Sequence, residues 1–215
     1  MVCNLVSLEK EIGCIVHHVL KNLAEDTVIE KKMVNRQIAI YLVQLLDRDM
    51  EELLFVALTF LKKLSVFEDP KEHMREEQLG GKLVLLGQHH SAFIALLALR
   101  LLYNLSFEEQ VREQLGESGL LFQKLVDLLR HPPFRQIVLK LLYQFTRDDK
   151  CRSLLTYHQD CLVMLLQLMI HFPENRVGKD LVALCVNLAL HPRAAELMVL
   201  VQIKGNNGQS EYLRI

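Results

Sequence analysis

Apolar residues along this chain recur with helical spacing, and the helical runs are themselves repeated. Five segments align without strain: VLKNLAED, FLKKLSVFED, LLYNLSFEE, LLYQFTRDD and LCVNLALHP. Their fifth residues, Leu23, Leu64, Leu105, Phe145 and Leu188, stand 41, 41, 40 and 43 residues apart. Ten residues beyond each comes another apolar side chain: Met33, Met74, Leu115, Leu155 and Met198. No run alternates apolar and polar residues, so the pattern predicts an elongated, helical chain without sheet.

Punctuation divides each period into a short helix, a second helix and a long third one. In the best-formed period EEQVREQL is the short helix and Gly116 to Gly119 the break. LLFQKLVDLLR is the second helix, His131-Pro132-Pro133 the stop and FRQIVLKLLYQFT the third helix. Gly80-Gly81 ahead of KLVLLG repeats the corner, and Pro173 and Pro192 are read as loop residues. A period of about 40–47 residues belongs to armadillo and HEAT arrays, and three helices with a glycine-broken corner favour the armadillo type. The expected fold is all-α, an armadillo-type right-handed superhelical solenoid of about five repeats with incomplete terminal ones, over residues 1–204. A single unit cannot bury its apolar surface, so only stacking stabilises it. The arithmetic fails at the C-terminus, where Gly205-Asn206-Asn207-Gly208 falls inside an expected second helix. Residues 205–215 are therefore expected to be an aberrant, disordered tail, leaving an apolar flank of helix 179–190 uncovered.

Composition narrows the function. The chain is 51% hydrophobic with no tryptophan, and its net charge of −1 argues against general binding of nucleic acid or membrane surfaces. Cys3, Cys14, Cys151, Cys161 and Cys185 are odd in number and irregularly spaced, as expected of reduced cysteine in a cytoplasmic protein. The opening residues lack the basic and apolar regions of a signal peptide, and the longest apolar run, Ala92 to Leu99, is too short to insert across a bilayer.

The third helices are apolar nearly all round, with one narrow polar stripe each. Gln136, Lys140 and Gln144 lie four apart on one helix, and Arg100 and Asn104 on another. By repeat alignment the rungs are His18/Asn22, Thr59/Lys63, Arg100/Asn104, Lys140/Gln144 and Ala183/Asn187. This resembles the armadillo pattern, in which an asparagine near the end of the third helix hydrogen-bonds the backbone of an extended partner. An amide carries donors and an acceptor together, which matches a peptide group of any sequence. The candidate groove is thus Asn22, Lys63, Arg100, Asn104, Lys140, Gln144 and Asn187, with Lys63 and Gln144 departing from asparagine. Three basic rungs predict an extended, acidic partner segment. The bland alternative is a wet face that binds nothing in particular.

Other constellations point away from chemistry. Cys151, His158 and Cys161 lack a fourth zinc ligand, and His17-His18 and His89-His90 lack a carboxylate or cysteine at usable spacing. Asn104-Leu105-Ser106 is a chance sequon inside a helix. The paired carboxylates Glu25-Asp26, Glu68-Asp69, Glu108-Glu109 and Asp148-Asp149 sit where a helix begins and suit its positive end. No phosphate-binding, nucleophile-elbow or metalloprotease motif occurs. No catalytic residue, metal or cofactor is expected.

NLAEDTVIEKKMVNRQI, LDRDMEELLFVALTFLKKLSVFED and ALRLLYNLSFEEQVREQLGESGLLFQKLVDLL resemble the kinesin-associated protein family. So do FRQIVLKLLYQFTRDDKCRSLLTY and LVALCVNLA, from about residue 19 to Met198. That family is the non-motor accessory subunit of heterotrimeric kinesin-II. The resemblance implies a scaffold that binds the motor subunits through their tail region, together with cargo adaptor proteins, on microtubules of the cilium or flagellum. A nuclear-import receptor is the competing armadillo reading, but such receptors clamp lysines with tryptophans one turn before the asparagine. Here those positions are His18, Thr59, Arg100, Lys140 and Ala183.

Overall fold

The structure, a computed structural model, describes residues 38–117, 119–158, 160–170, 178–200, 202–204 and 210–212. Helices α1 (Ile38–Leu45), α2 (Glu51–Leu64), α3 (Glu68–Glu76), α4 (Leu79–Leu86) and α5 (Ala92–Leu105) come first. Next are α6 (Glu109–Gly116), α7 (Gly119–Leu128), α8 (Pro132–Phe145), α9 (Asp149–Tyr157), α10 (Cys161–Ile170), α11 (Lys179–Ala189) and α12 (Pro192–Leu200). The chain divides into two compact units, residues 1–105 and 106–215. Short, second and long helices recur in that order, and α2, α5, α8 and α11 are the long ones.

In the first unit the long helices α2 and α5 lie side by side, α4 backs α5, and α1 touches α2 and α3. In the second, α8 pairs with α11, α7 supports α8, and α12 rests on α10 and α11. The repeat anchors are the core: Leu64, Leu105, Phe145 and Leu188 are all buried, as are Met74, Leu115, Leu155 and Met198 ten residues on. Phe145 meets Phe122 edge to face at 5.5 Å. Burying each such side chain is worth about 1.5–3 kcal/mol, which explains why these spacings survive while surface residues vary between repeats. Leu23 and Met33 lie outside the described residues.

Helix ends follow local electrostatics. Helix α2 opens on Glu51 and Glu52 and closes on Lys62 and Lys63, each complementing the helix dipole. Glu68 and Asp69, Glu109 and Asp149 likewise occupy first turns. Three boundaries differ from expectation. Pro132 and Pro133 begin α8 rather than stop α7, and Pro192 begins α12, because proline lacks the N–H that a first helical turn leaves unused. Gly80 and Gly81 lie inside α4, while the left-handed corner before it is taken by Gln78, with φ 53°. Gly116 ends α6 for a packing reason: a Cβ there would stand 2.6 Å from Cys151 Sγ.

The expectation of a chain without sheet is corrected at the C-terminus. Strands β1 (Gln202–Lys204) and β2 (Ser210–Tyr212) pair antiparallel, Gln202 opposite Tyr212 and Lys204 opposite Ser210, and β1 lies against α10. A structureless tail was expected from Gly205 onward; Ser210 to Tyr212 are instead in a strand, and residues 205–209 and 213–215 lie outside the described residues. The Gly- and Asn-rich stretch between the strands has the composition of a hairpin connection. On α11, Val182 is 41% exposed, whereas its counterparts one and three periods earlier, Leu139 and Leu58, are buried, and Val186 is 57% exposed.

Candidate functional site

The rungs differ in burial from one long helix to the next. Lys63 and Arg100 are exposed; Thr59, Asn104, Lys140, Ala183 and Asn187 are half-buried; Gln144 is buried. Since α2 packs on α5, Thr59/Lys63 and Arg100/Asn104 are neighbouring rungs, and α8 with α11 does the same for Lys140/Gln144 and Ala183/Asn187. Arg100 and Lys140 have no ion-pair partner among the described residues. The Thr59 hydroxyl is shielded from solvent and has no hydrogen-bond partner among the described residues. Asn22 and His18 lie outside them.

Side-chain hydrogen bonds tie successive repeats together. Asn104 Nδ2 donates to Ser65 Oγ at 3.0 Å, and Ser65 Oγ donates to the Lys62 carbonyl at 2.7 Å. In the second unit Asn187 Nδ2 donates to Thr146 Oγ1 at 3.3 Å, and Thr146 Oγ1 donates to the Tyr143 carbonyl at 2.7 Å. Each hydroxyl sits one residue beyond a buried anchor and spends its proton on the last turn of its own helix, so a lone pair remains for the asparagine of the next repeat. The chain satisfies a carbonyl at the helix end that would otherwise lack an intrahelical donor. Each asparagine keeps its carbonyl oxygen and a second N–H. Gln144 accepts from Arg147 Nη1 at 3.2 Å through its side-chain oxygen. Sequence reading missed this relay, although Ser65, Ser106 and Thr146 recur one residue after successive anchors.

A second inter-repeat tie holds the other edge. Arg112 is 5% exposed; its Nε and Nη2 donate to the Asp148 carboxylate at 2.5 and 3.3 Å, and Nη1 donates to the carbonyls of Ser106 and Phe107 at 2.9 and 3.0 Å. This fork joins α6 to the residue preceding α9, using the planar geometry that lysine lacks. The equivalent Lys71 in the first unit forms an ion pair with Glu68 of its own helix at 2.9 Å. A cleft of about 510 Å³ lies beside the fork, lined by Glu113, Glu117, Arg147, Asp149, Lys150 and Cys151 among others. Its charges are of both signs and partly self-paired, Lys150 with Glu117 at 3.9 Å.

Metal chemistry finds little support. The His89-His90 pair does gain carboxylates that sequence spacing hid: His90 Nε2 is 2.9 Å from Glu51, and His89 Nε2 is 3.9 Å from Asp49. Glu51, His89 and His90 could bring ligand atoms within 4.8 Å of one another. However, His89 Nδ1 accepts the Ser91 backbone N–H at 3.1 Å, so a neutral ring carries its proton on Nε2 and offers no lone pair there. Burial pushes the Cys151 and Cys185 thiols up to about 11 and Cys161 up to about 12, which disfavours the thiolate a metal or a nucleophile needs. Among the described residues no single helix is long and apolar enough to cross a membrane.

With the three-helix repeats and the ties between them described, comparison with known proteins becomes informative. The profile of the family described as Kinesin-associated protein (KAP) matches residues 4–207. The chain belongs to the kinesin-associated protein family. Two solved structures share its fold. One is an engineered protein, with a TM-score of 0.71 and 20% identity over 85% of this chain and 78% of that one. The other is a designed armadillo repeat protein, with a TM-score of 0.70 and 16% identity over 88% of this chain and 81% of that one. The fold is therefore the armadillo-type α-solenoid.

Proposed function

We propose that this chain is an accessory scaffold that links the tails of heterotrimeric kinesin-II motors to cargo adaptor proteins in microtubule-based transport of the cilium or flagellum, acting in the cytoplasm on microtubules. The family match over residues 4–207 carries the reading. The rungs of each unit are the surfaces proposed for binding: Asn22, exposed Lys63 and Arg100 and half-buried Asn104 in the first, and half-buried Lys140 and Asn187 with buried Gln144 in the second. Cations beside amides suit an extended acidic segment, the amides meeting its backbone and the cations its side chains. Because the asparagines also serve the relay, the cations are the separable part of the site.

The test is a titration of a motor-tail fragment against the full chain and against Lys63→Ala/Arg100→Ala. Exposed charge pairs are screened by salt, so binding should weaken with ionic strength and weaken further in the variant. Tight binding unchanged by the variant and by salt would place the partner on another face. Failure of any tail fragment to bind would instead favour an armadillo adaptor of other cytosolic complexes.

A further inference from the structure

On α2 the residues Glu51, Phe55, Thr59 and Lys63 are spaced four apart and form one stripe across the face, and α5 runs beside it with Phe93, Leu96, Arg100 and Asn104. Phe55 and Phe93 bring their rings to 5.2 Å at an interplanar angle of 31°, a tilted aromatic pair between the two helices. Phe93 is 58% exposed, and Phe55 and Leu96 are half-buried. The first unit thus offers three parallel rows: an aromatic row, the Thr59/Arg100 row and the Lys63/Asn104 row. Beyond the aromatic row stand Glu51, Glu52 and Asp49, all acidic.

We infer that the first unit recognises an extended peptide in which acidic residues alternate with bulky apolar ones, the apolar side chains seated on Phe55 and Phe93 and the acidic ones on Lys63 and Arg100. The inference rests on the groove reading above and adds to it an apolar anchor and a sequence pattern. Phe55 and Lys63 are roughly 12 Å apart along the helix at 1.5 Å per residue. That separation suits a strand whose main chain crosses the Thr59/Arg100 row, because successive side chains of a strand point to opposite sides. Same-side residues of a strand recur every ~7 Å, close to the roughly 8–10 Å between packed helices, so two acidic residues can reach the cations of α2 and α5. The unpartnered Thr59 hydroxyl lies under that path. Glu51, Glu52 and Asp49 fix the sense of the arrangement, since they repel acidic side chains from the aromatic edge. The second unit lacks the anchor: Gln136 and Lys179 stand where Phe55 stands, and Pro133 where Phe93 stands.

The experiment measures fluorescence anisotropy of two labelled probes on the full chain, a short peptide alternating glutamate with leucine and a control with serine for each leucine. The alternating peptide should bind the wild-type chain about tenfold more tightly than the control, a normal effect for one well-seated apolar anchor. Phe93→Ser, a surface change, should remove that preference while leaving the salt-sensitive binding of the control intact. Lys63→Ala/Arg100→Ala should weaken both probes. If Phe93→Ser leaves the preference unchanged while the charge variant weakens both probes, the anchor is overturned and the groove stands. If neither probe binds, or the charge variant binds both as wild type does, the groove reading fails and the anchor fails with it.

Discussion

The two units of this chain are built alike and finished differently. In each, an asparagine of one long helix donates to a hydroxyl at the end of the previous one, Asn104 to Ser65 and Asn187 to Thr146. In each, the anchor leucine or phenylalanine beside that relay is buried. On the surface the likeness ends. The first unit shows two exposed cations and an aromatic pair; the second shows half-buried Lys140, buried Gln144 and no aromatic residue at Gln136, Pro133 or Lys179. At the opposite edge the order reverses, for Arg112 grips two carbonyls and a carboxylate in the second unit where Lys71 pairs locally in the first. Repetition is thus conserved where helices touch and relaxed where they face solvent, so the units can specialise without altering the fold.

The largest expected effect lies where the units agree. Leu105→Ala and Phe145→Ala should each cost about 2–5 kcal/mol, since each leaves a cavity in a close-packed core. Urea unfolding followed by circular dichroism checks this, and a loss no greater than that of a surface alanine would contradict the shared core. Next comes the edge where they differ. Arg112→Ala strands a carboxylate and two carbonyls and should cost about 3 kcal/mol, more than Lys71→Ala. Equal losses would erase the distinction. A smaller effect follows from the relay: Ser65→Ala and Thr146→Val should each cost about 1 kcal/mol, with slowed or quickened amide exchange as the readout. Faster exchange confined to the ends of α2 and α8 is expected, and no change at either end would mean the relay is idle. The smallest concerns Gln78, held at φ 53°. Gln78→Gly should raise stability by up to about 1 kcal/mol, because a Cβ is disfavoured in the left-handed region, and a lowered thermal midpoint would contradict that.

Much of this was legible before the coordinates. Leu64, Leu105, Phe145 and Leu188 set the period because burial demands an apolar residue once per repeat, and helical spacing followed from the same demand. The exposure of Lys63 and Arg100 was legible as well, since both are charged residues on long helices rich in apolar ones. Pairings between repeats were not. Ser65 and Asn104 are 39 residues apart, and Arg112 and Asp148 are 36; only stacking brings them together. The β1–β2 hairpin also escaped, because three-residue strands give too little alternation to read. Phe55 and Phe93 lie on different long helices, and only packing brings their rings together.

The central claim is that the first unit's rungs carry more of the recognition than the second's. It is tested most directly by the affinity of a motor-tail fragment for Lys63→Ala/Arg100→Ala set against Lys140→Ala, measured in parallel on the full chain. The account predicts about a tenfold loss or more for the first variant and a change within about twofold for the second. Equal losses, or a larger loss for Lys140→Ala, would contradict it.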